Sequence, residues 1–199
     1  MPAGKEEDDV FGPNEIRLNL RSWVETHMRP SVNDVLIDEF GFSNRTKVKA
    51  PDKTFRADLA LANGRLVGFE IKSGNDSLYR WPSQCEAYFR VFDEIWLCTH
   101  GKHLEKALPI TPKEAGIILV DDLGGMAVVR KASAHKQLNS YDLSGLLWRE
   151  ELEALCVNNN LSFKSRDTKS VLREIVSQSL SIDIIRAHVL SSIKSRRLD

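Results

Sequence analysis

Residues 55–72 constrain this chain more than any other stretch. They read as two strands, 55–62 and 65–72, folded back on each other around Asn63-Gly64. Leu59 and Leu61 in the first strand, and Val67, Phe69 and Ile71 in the second, recur at every second position. Side chains two apart share one face of a strand. If these five apolar residues face one core, the pairing register is fixed, and Asp58 falls on the same side as Glu70 and Lys72. A two-residue Asn-Gly turn would turn Asp58 to the other side, because a slip of one residue exchanges the faces. The pattern therefore predicts a three-residue loop with Gly64 in the left-handed region.

Two carboxylates and an ammonium on one face suit phosphodiester hydrolysis. That reaction needs an activated water, neutralised phosphate charge and a stabilised leaving oxygen. Paired carboxylates can hold Mg²⁺, which prefers oxygen ligands. The metal polarises the phosphate and acidifies bound water, and a lysine beside it can orient that water or neutralise developing charge. The backbone carbonyl of Ile71 offers one more oxygen ligand. The competing reading is a surface salt bridge on an amphipathic hairpin. Glu-x-Lys alone carries little weight, since it arises by chance about once in a chain this size. Asp167-Thr168-Lys169 fits the same loose pattern, but it lies in a turn between helices and has no acidic strand partner upstream.

Around the hairpin the chain reads as mixed α/β. Residues 14–27 have Ile16, Leu20, Trp23 and Val24 on one helical face, and Pro30 ends that helix. Residues 32–40 read as a second helix, with Val32, Val35, Leu36 and Phe40 apolar, a cap at Ser31 or Asn33, and Gly41 at its end. Residues 45–48 read as a short strand. Residues 74–80 form a loop, and 82–92 a helix with proline in its first turn. Strands follow at 94–99, 116–120 and 126–129, with a short helix at 104–108 between the first two. Strand, helix and strand from Ile71 to Leu97 imply a parallel crossover in a mixed sheet. From Ser144 onward the pattern is helical.

Composition limits the alternatives. At 199 residues and 42% hydrophobic, the chain can bury a core and fits one domain with a helical appendage. Residues 1–13 are expected to be a disordered, acidic tail with no secretory signal, 14–135 the core, and 144–199 the appendage. The 28 basic and 28 acidic residues cancel, so any basic surface for nucleic acid must be local. Cys85, Cys98 and Cys156 lack metal-ligand spacing and read as buried thiols in a reducing cytoplasm. No apolar run approaches the ~18 residues of a membrane helix, so no membrane partner is expected.

Phe55-Arg56-Ala57-Asp58 followed by Gly68-Phe69-Glu70-Ile71-Lys72-Ser73 resembles the PD-(D/E)xK nuclease superfamily. Gln84-Cys85-Glu86-Ala87-Tyr88 resembles the QxxxY motif of its RecB-like branch. With Asp76 and the Tyr79-Arg80-Trp81-Pro82 run between them, these segments look like a family of small bacterial and phage proteins of that superfamily. The resemblance covers about residues 14–122, and it departs in one place: Ala57 stands where the motif's name has proline. It implies a restriction-endonuclease-like mixed sheet flanked by helices, cutting DNA with Mg²⁺ or Mn²⁺; RNA is a substrate the fold also permits. It implies Asp58 and Glu70 as metal ligands and Lys72 as the catalytic lysine. Glu39, or failing it Asp38, would be the acidic residue completing the site. Gln84 and Tyr88, one helical turn apart, would arrange the site or the nucleic-acid backbone.

Other residues fit blander roles as well. Asp76 suits a turn cap. Arg56, beside Asp58, can meet a phosphate or pair with an acid. His100 and His103 read as loop histidines, and Trp23, Trp96 and Trp148 as core. Trp81 is the aromatic considered for base stacking. In the tail, Lys164, Arg166, Lys169 and Arg173 cluster around a turn, and residues 151–175 faintly resemble a SAP-type helix–extended–helix DNA-binding module. Those four cations are the candidates for contact with DNA. The alternative is a helical bundle packed on the core with a solvated face.

Overall fold

Six strands form one mixed sheet whose spatial order follows the chain from β1 to β6. A computed structural model describes residues 12–45 and 51–196. The helix α1 (Pro13–His27) leads into β1 (Val35–Arg45), β2 (Asp52–Ala62) and β3 (Leu66–Lys72). Next come a 3₁₀ turn (Leu78–Arg80), α2 (Trp81–Phe89), β4 (Glu94–His100), α3 (Leu104–Ile110), β5 (Gly116–Val120) and β6 (Met126–Arg130). Four helices close the chain: α4 (Ser140–Ser144), α5 (Arg149–Asn158), α6 (Lys169–Ser179) and α7 (Ile182–Ser195). Neighbouring strands run antiparallel except β3–β4 and β4–β5, which are parallel across the α2 and α3 crossovers.

The hairpin has the register that alternation requires. Leu59 pairs with Phe69, Leu61 with Val67 and Ala62 with Leu66, which leaves a three-residue loop with Gly64 at φ +91°. A side chain at that backbone angle would clash with its own carbonyl, so glycine is the residue that makes the loop. Leu59, Leu61, Val67, Phe69 and Ile71 are buried together against Ile16, Leu20 and Val24 of α1. The opposite face is buried too. Ala57, Ala60, Ala62 and Leu66 pack there with α2 and with the C-terminal helices, through residues such as Leu147, Leu155, Leu172 and Val189. The sheet is thus the middle of three layers, and the appendage shares one core with it. Gly68 lets the segment just after α2 lie close, since a β-carbon there would come within 2.9 Å of the Phe92 ring.

The helix expected over 32–40 is a strand. Val32 is exposed, and Val35 to Arg45 pair along the length of β2. The reason is a slip in the alternation. Ile37, Phe40 and Phe42 all turn to the α2 face, so the interval between the first two is three residues rather than two. That interval mimics a helical repeat. β2 slips at the same level: Ala57 faces α2, whereas Leu59 faces α1. Asp38 pairs with Leu59 and Phe40 with Ala57, leaving one residue on each strand between these rungs, Glu39 and Asp58. Glu39 takes φ +55°, the left-handed region. Of the short strand expected over 45–48, Arg45 ends β1 and the rest lies outside the described residues, as do residues 1–11 of the expected tail.

A buried ionic cluster fastens the C-terminal helices to the sheet. Arg173 is 3% exposed, pairs with Asp52, and lies 3.9 Å over the ring of Tyr141. Arg45 also lies over that ring, at 3.6 Å, and pairs with Glu174. The wholly buried Asp142 accepts from the Arg45 backbone N–H at 2.9 Å and from Arg90. This removes Arg173 from the expected nucleic-acid contacts, because its charge is spent inside the fold. Two tryptophans also exchange roles. Trp81 is fully buried, its indole N–H donating to Thr111 Oγ1 at 2.9 Å, and so cannot stack on a base. Trp148, expected in the core, is 57% exposed.

Candidate functional site

A cleft of about 830 Å³ opens where β2 and β3 part. Its lining includes Arg17, Glu39, Arg56, Asp58, Glu70, Ile71, Lys72 and Gln84. The hairpin ladder ends at the Leu59–Phe69 rung. Beyond it the Asp58 side chain takes over: Oδ2 accepts the Ile71 backbone N–H at 2.7 Å. Glu70 and Lys72, two apart on β3, turn toward α2, and both are almost wholly buried.

α2 reaches Glu70 with the two residues its periodicity singles out. Gln84 Nε2 donates to Glu70 Oε1 at 2.7 Å, and the Tyr88 hydroxyl donates to Glu70 Oε2 at 2.5 Å. Lys72 Nζ donates to Glu70 Oε1 at 2.6 Å and to Gln84 Oε1 at 3.1 Å. An ammonium has three N–H groups, so one remains for a group in the cleft. Glu70 therefore stands in a fixed cradle of lysine, glutamine and tyrosine.

Burial, reinforced by the neighbouring Glu70 carboxylate, pushes the Asp58 carboxyl up to about 6. The Ile71 amide, Lys72 and Arg17 pull it back only in part. Burial also pushes the Tyr88 hydroxyl well above its ordinary range, and Glu70 adds to the shift, so the phenol keeps its proton and remains a donor. Burial drives the thiol of Cys85 up to about 12, as expected of an inert core cysteine.

Arg17 of α1 is a member the sequence did not announce. It pairs with Glu39, and its Nη2 lies 3.9 Å from Asp58 Oδ1. Arg56 Nε sits 2.5 Å from the second Glu39 oxygen, while two-thirds of its side chain stays exposed on the rim. Glu39, the acidic residue chosen from the sequence, thus reaches the cleft but is held by two arginines. Asp38 points to Arg21 at 2.8 Å, outside the lining. Among the described residues no three His, Cys, Asp or Glu side chains are gathered closely enough to hold a metal ion as they stand.

Asp76 caps its turn, with Oδ2 accepting from Ser73 N and Oγ at 2.7 and 2.6 Å, and also lines the cleft. His103 bonds the Ser73 carbonyl and His100 bonds Asp122, so neither histidine joins the site. In the tail, Lys164 and Arg166 project from a loop that Arg149 holds by the carbonyls of Ser165 and Asp167. Lys169 donates to the Gly145 carbonyl at 3.1 Å and lines a hollow that shares Thr54 with the cleft.

Fold and site define a mixed α/β protein with a carboxylate–lysine cluster set at the splayed end of a central hairpin. Comparison with known families gives the particular relationship. The family described as Bacteriophage P4 protein cII matches residues 9–198, nearly the whole chain, and the protein belongs to that family. It is 26% identical over 192 residues to protein cII of Enterobacteria phage P4, a match covering 94% of this chain and 69% of that protein. No solved structure matches. Among the described residues no helix is long and apolar enough to cross a membrane.

Proposed function

We propose that this protein is a metal-dependent nuclease of the PD-(D/E)xK type, hydrolysing phosphodiester bonds in nucleic acid, most directly DNA. The observation that carries the reading is the meeting of Asp58, Glu70, Lys72 and Gln84 in one cleft, with Tyr88 buried behind Glu70, where hairpin register and helical period would bring a built site. The donor set suits Mg²⁺ or Mn²⁺, since all of it is hard oxygen. Asp58, Glu70 and the Ile71 carbonyl would hold the ion, with Glu39 as the further acidic ligand. Asp58 resists ionising because it is buried and, next to that, because Glu70 lies beside it; a bound cation would relieve both. When bound, the ion would polarise the phosphate and acidify water.

The chain's own groups supply the rest. Lys72, steadied by Glu70 and Gln84, keeps one N–H for the attacking water or a phosphate oxygen. Gln84 and Tyr88 fix the Glu70 carboxylate from two sides. Arg56 on the rim and Lys164 and Arg166 in the tail are candidates for phosphate contact outside the site.

A second reading, a catalytically silent nucleic-acid-binding protein, draws on Arg17. It gives Glu39 and Asp58 a positive neighbour without any metal. Cleavage of end-labelled single-stranded DNA, duplex DNA and RNA with Mg²⁺, Mn²⁺ or EDTA separates the readings. Metal-dependent products that vanish in Asp58→Ala, Glu70→Ala and Lys72→Ala support the nuclease. No cleavage of any of the three substrates with either metal, or undiminished cleavage by all three variants, overturns it.

A further inference from the structure

The cleft wall carries an aromatic that the site chemistry does not use. Tyr79 is 91% exposed, on a turn whose backbone is held. Ser77 Oγ accepts its backbone N–H at 3.2 Å. On one side Asp76 pins the loop to Ser73, and on the other Trp81 is buried and bonded to Thr111. A large apolar ring held out in water on a pinned turn gains nothing for the fold. Among the described residues the other strongly exposed large aromatic is Trp148, and Arg196 covers its ring at 4.3 Å.

Tyr79 also stands between two hollows. It lines the cleft that holds Asp58, Glu70 and Lys72, and it lines a neighbouring hollow of about 460 Å³ with Lys106 and Pro82. Two cations flank the cleft side, Lys53 on β2 and Arg80 next to Tyr79, and both are exposed. Among the described residues neither has a carboxylate within ion-pair distance, unlike Arg17, Arg56 and Lys72 in the same cleft.

We propose that the cleft takes a single-stranded segment of nucleic acid, with Tyr79 as the platform for one base and Lys53 and Arg80 as contacts to the flanking phosphates. The inference rests on reading the cleft as a nucleic-acid site. Stacking on Tyr79 needs a base whose face is free. In a duplex that face is covered by the next pair, and exposing it costs unstacking and unpairing. Every base has a π-face, so the platform is tolerant of sequence. The two hollows adjoin through Asp76, Tyr79 and Pro82, so a strand leaving the cleft across Tyr79 would meet Lys106 in the second hollow.

The test is fluorescence anisotropy in EDTA with the full chain and two labelled probes, a short oligothymidylate and a hairpin duplex. The wild type binds the single strand more tightly than the duplex. Tyr79→Ala weakens single-strand binding by about tenfold or more, whereas Tyr79→Phe stays within about twofold, because the ring rather than the hydroxyl does the work. Duplex binding is unchanged in both variants. Changing Lys53 and Arg80 together to alanine flattens the dependence of log affinity on log salt by about 0.7 for each phosphate left unneutralised, and Tyr79→Ala leaves that slope alone. Wild-type binding by Tyr79→Ala overturns the proposal, as does equal weakening of both probes or a Tyr79→Phe as weak as Tyr79→Ala. The nuclease reading fails separately: no cleavage with Mg²⁺ or Mn²⁺, while these binding results hold, removes the hydrolysis and leaves the single-strand platform standing.

Discussion

Replacing Asp58 by asparagine should stabilise the metal-free protein at neutral pH. The Asp58 carboxyl ionises at about 6 in the fold against an ordinary value of 3.8. A raised carboxyl pKa means that the folded state resists ionisation while the unfolded chain ionises freely. Stability therefore falls as pH rises from about 4 to about 6 and is flat above. At about 1.4 kcal/mol per pH unit, the full penalty at pH 7.5 is about 3 kcal/mol. The shift already sets the pull of Lys72 and Arg17 against burial, and asparagine keeps an oxygen for the Ile71 N–H as a weaker, neutral acceptor, so the net gain is about 1–3 kcal/mol. For a chain of this size that raises Tm by about 3–10 °C. Thermal unfolding in EDTA at pH 7.5 and pH 4.5 measures it, with the gain shrinking at the lower pH. A gain independent of pH, or a loss of stability at pH 7.5, would refute the electrostatic account of the site.

Two further perturbations separate structure from function elsewhere. Tyr88→Phe removes a buried donor and leaves Glu70 Oε2 without it, so urea unfolding should show a loss of about 1–3 kcal/mol. An undiminished midpoint would mean that the Tyr88–Glu70 bond contributes nothing. Arg173→Ala strips the partner from Asp52 and uncovers Tyr141, costing about 3–5 kcal/mol with no change in the salt dependence of nucleic-acid binding. Lys164→Ala with Arg166→Ala should do the reverse, leaving Tm within a degree or two and lowering the salt slope by about 0.7–0.9 for each phosphate that either side chain neutralises. An unaltered slope would remove the tail from the nucleic-acid surface.

The hairpin was legible because both its faces obey simple rules. Five apolar residues at alternate positions and one glycine in the turn fix the Leu59–Phe69 register. Gln84 and Tyr88 were legible because a helical turn puts them on one side of α2, and that side meets Glu70. β1 was not legible, since the slip at Glu39 breaks the period by which strands are recognised and pairing with β2 overrides the helical pattern. Arg17 was hidden for a different reason. It lies on the polar flank of an amphipathic helix, and nothing local says that this flank overhangs the hairpin. Tyr79 and Trp81 could have been told apart: Trp81, Cys85 and Tyr88 follow the i, i+4, i+7 spacing of a buried helical face, and Tyr79 precedes that helix.

The slip that obscured β1 also explains where the site lies. With strict alternation Asp58 would point squarely to one covered face of the sheet, under α1 or under α2. Because Ala57 turns to the α2 layer and Leu59 to the α1 layer, Asp58 sits at the crossover between them. From there it reaches along the sheet to the Ile71 amide rather than into either core. Glu39 occupies the matching place on β1 and adopts a left-handed backbone that costs a non-glycine residue about 1 kcal/mol. The gap in pairing between the Asp38–Leu59 and Phe40–Ala57 rungs adds to that cost. Strain of this kind persists only where the surroundings enforce it, and here Arg17 and Arg56 grip the Glu39 carboxylate while two layers hold the strands. The gain is an opening at the plane of the sheet into which Glu39 and Asp58 project from the slip and Glu70 and Lys72 from the α2 side. A regular sheet with the same Leu59–Phe69 register would have set Asp58 opposite Glu70 on the face covered by α2, with no opening in the plane of the sheet through which Glu39 and Asp58 could reach a ligand.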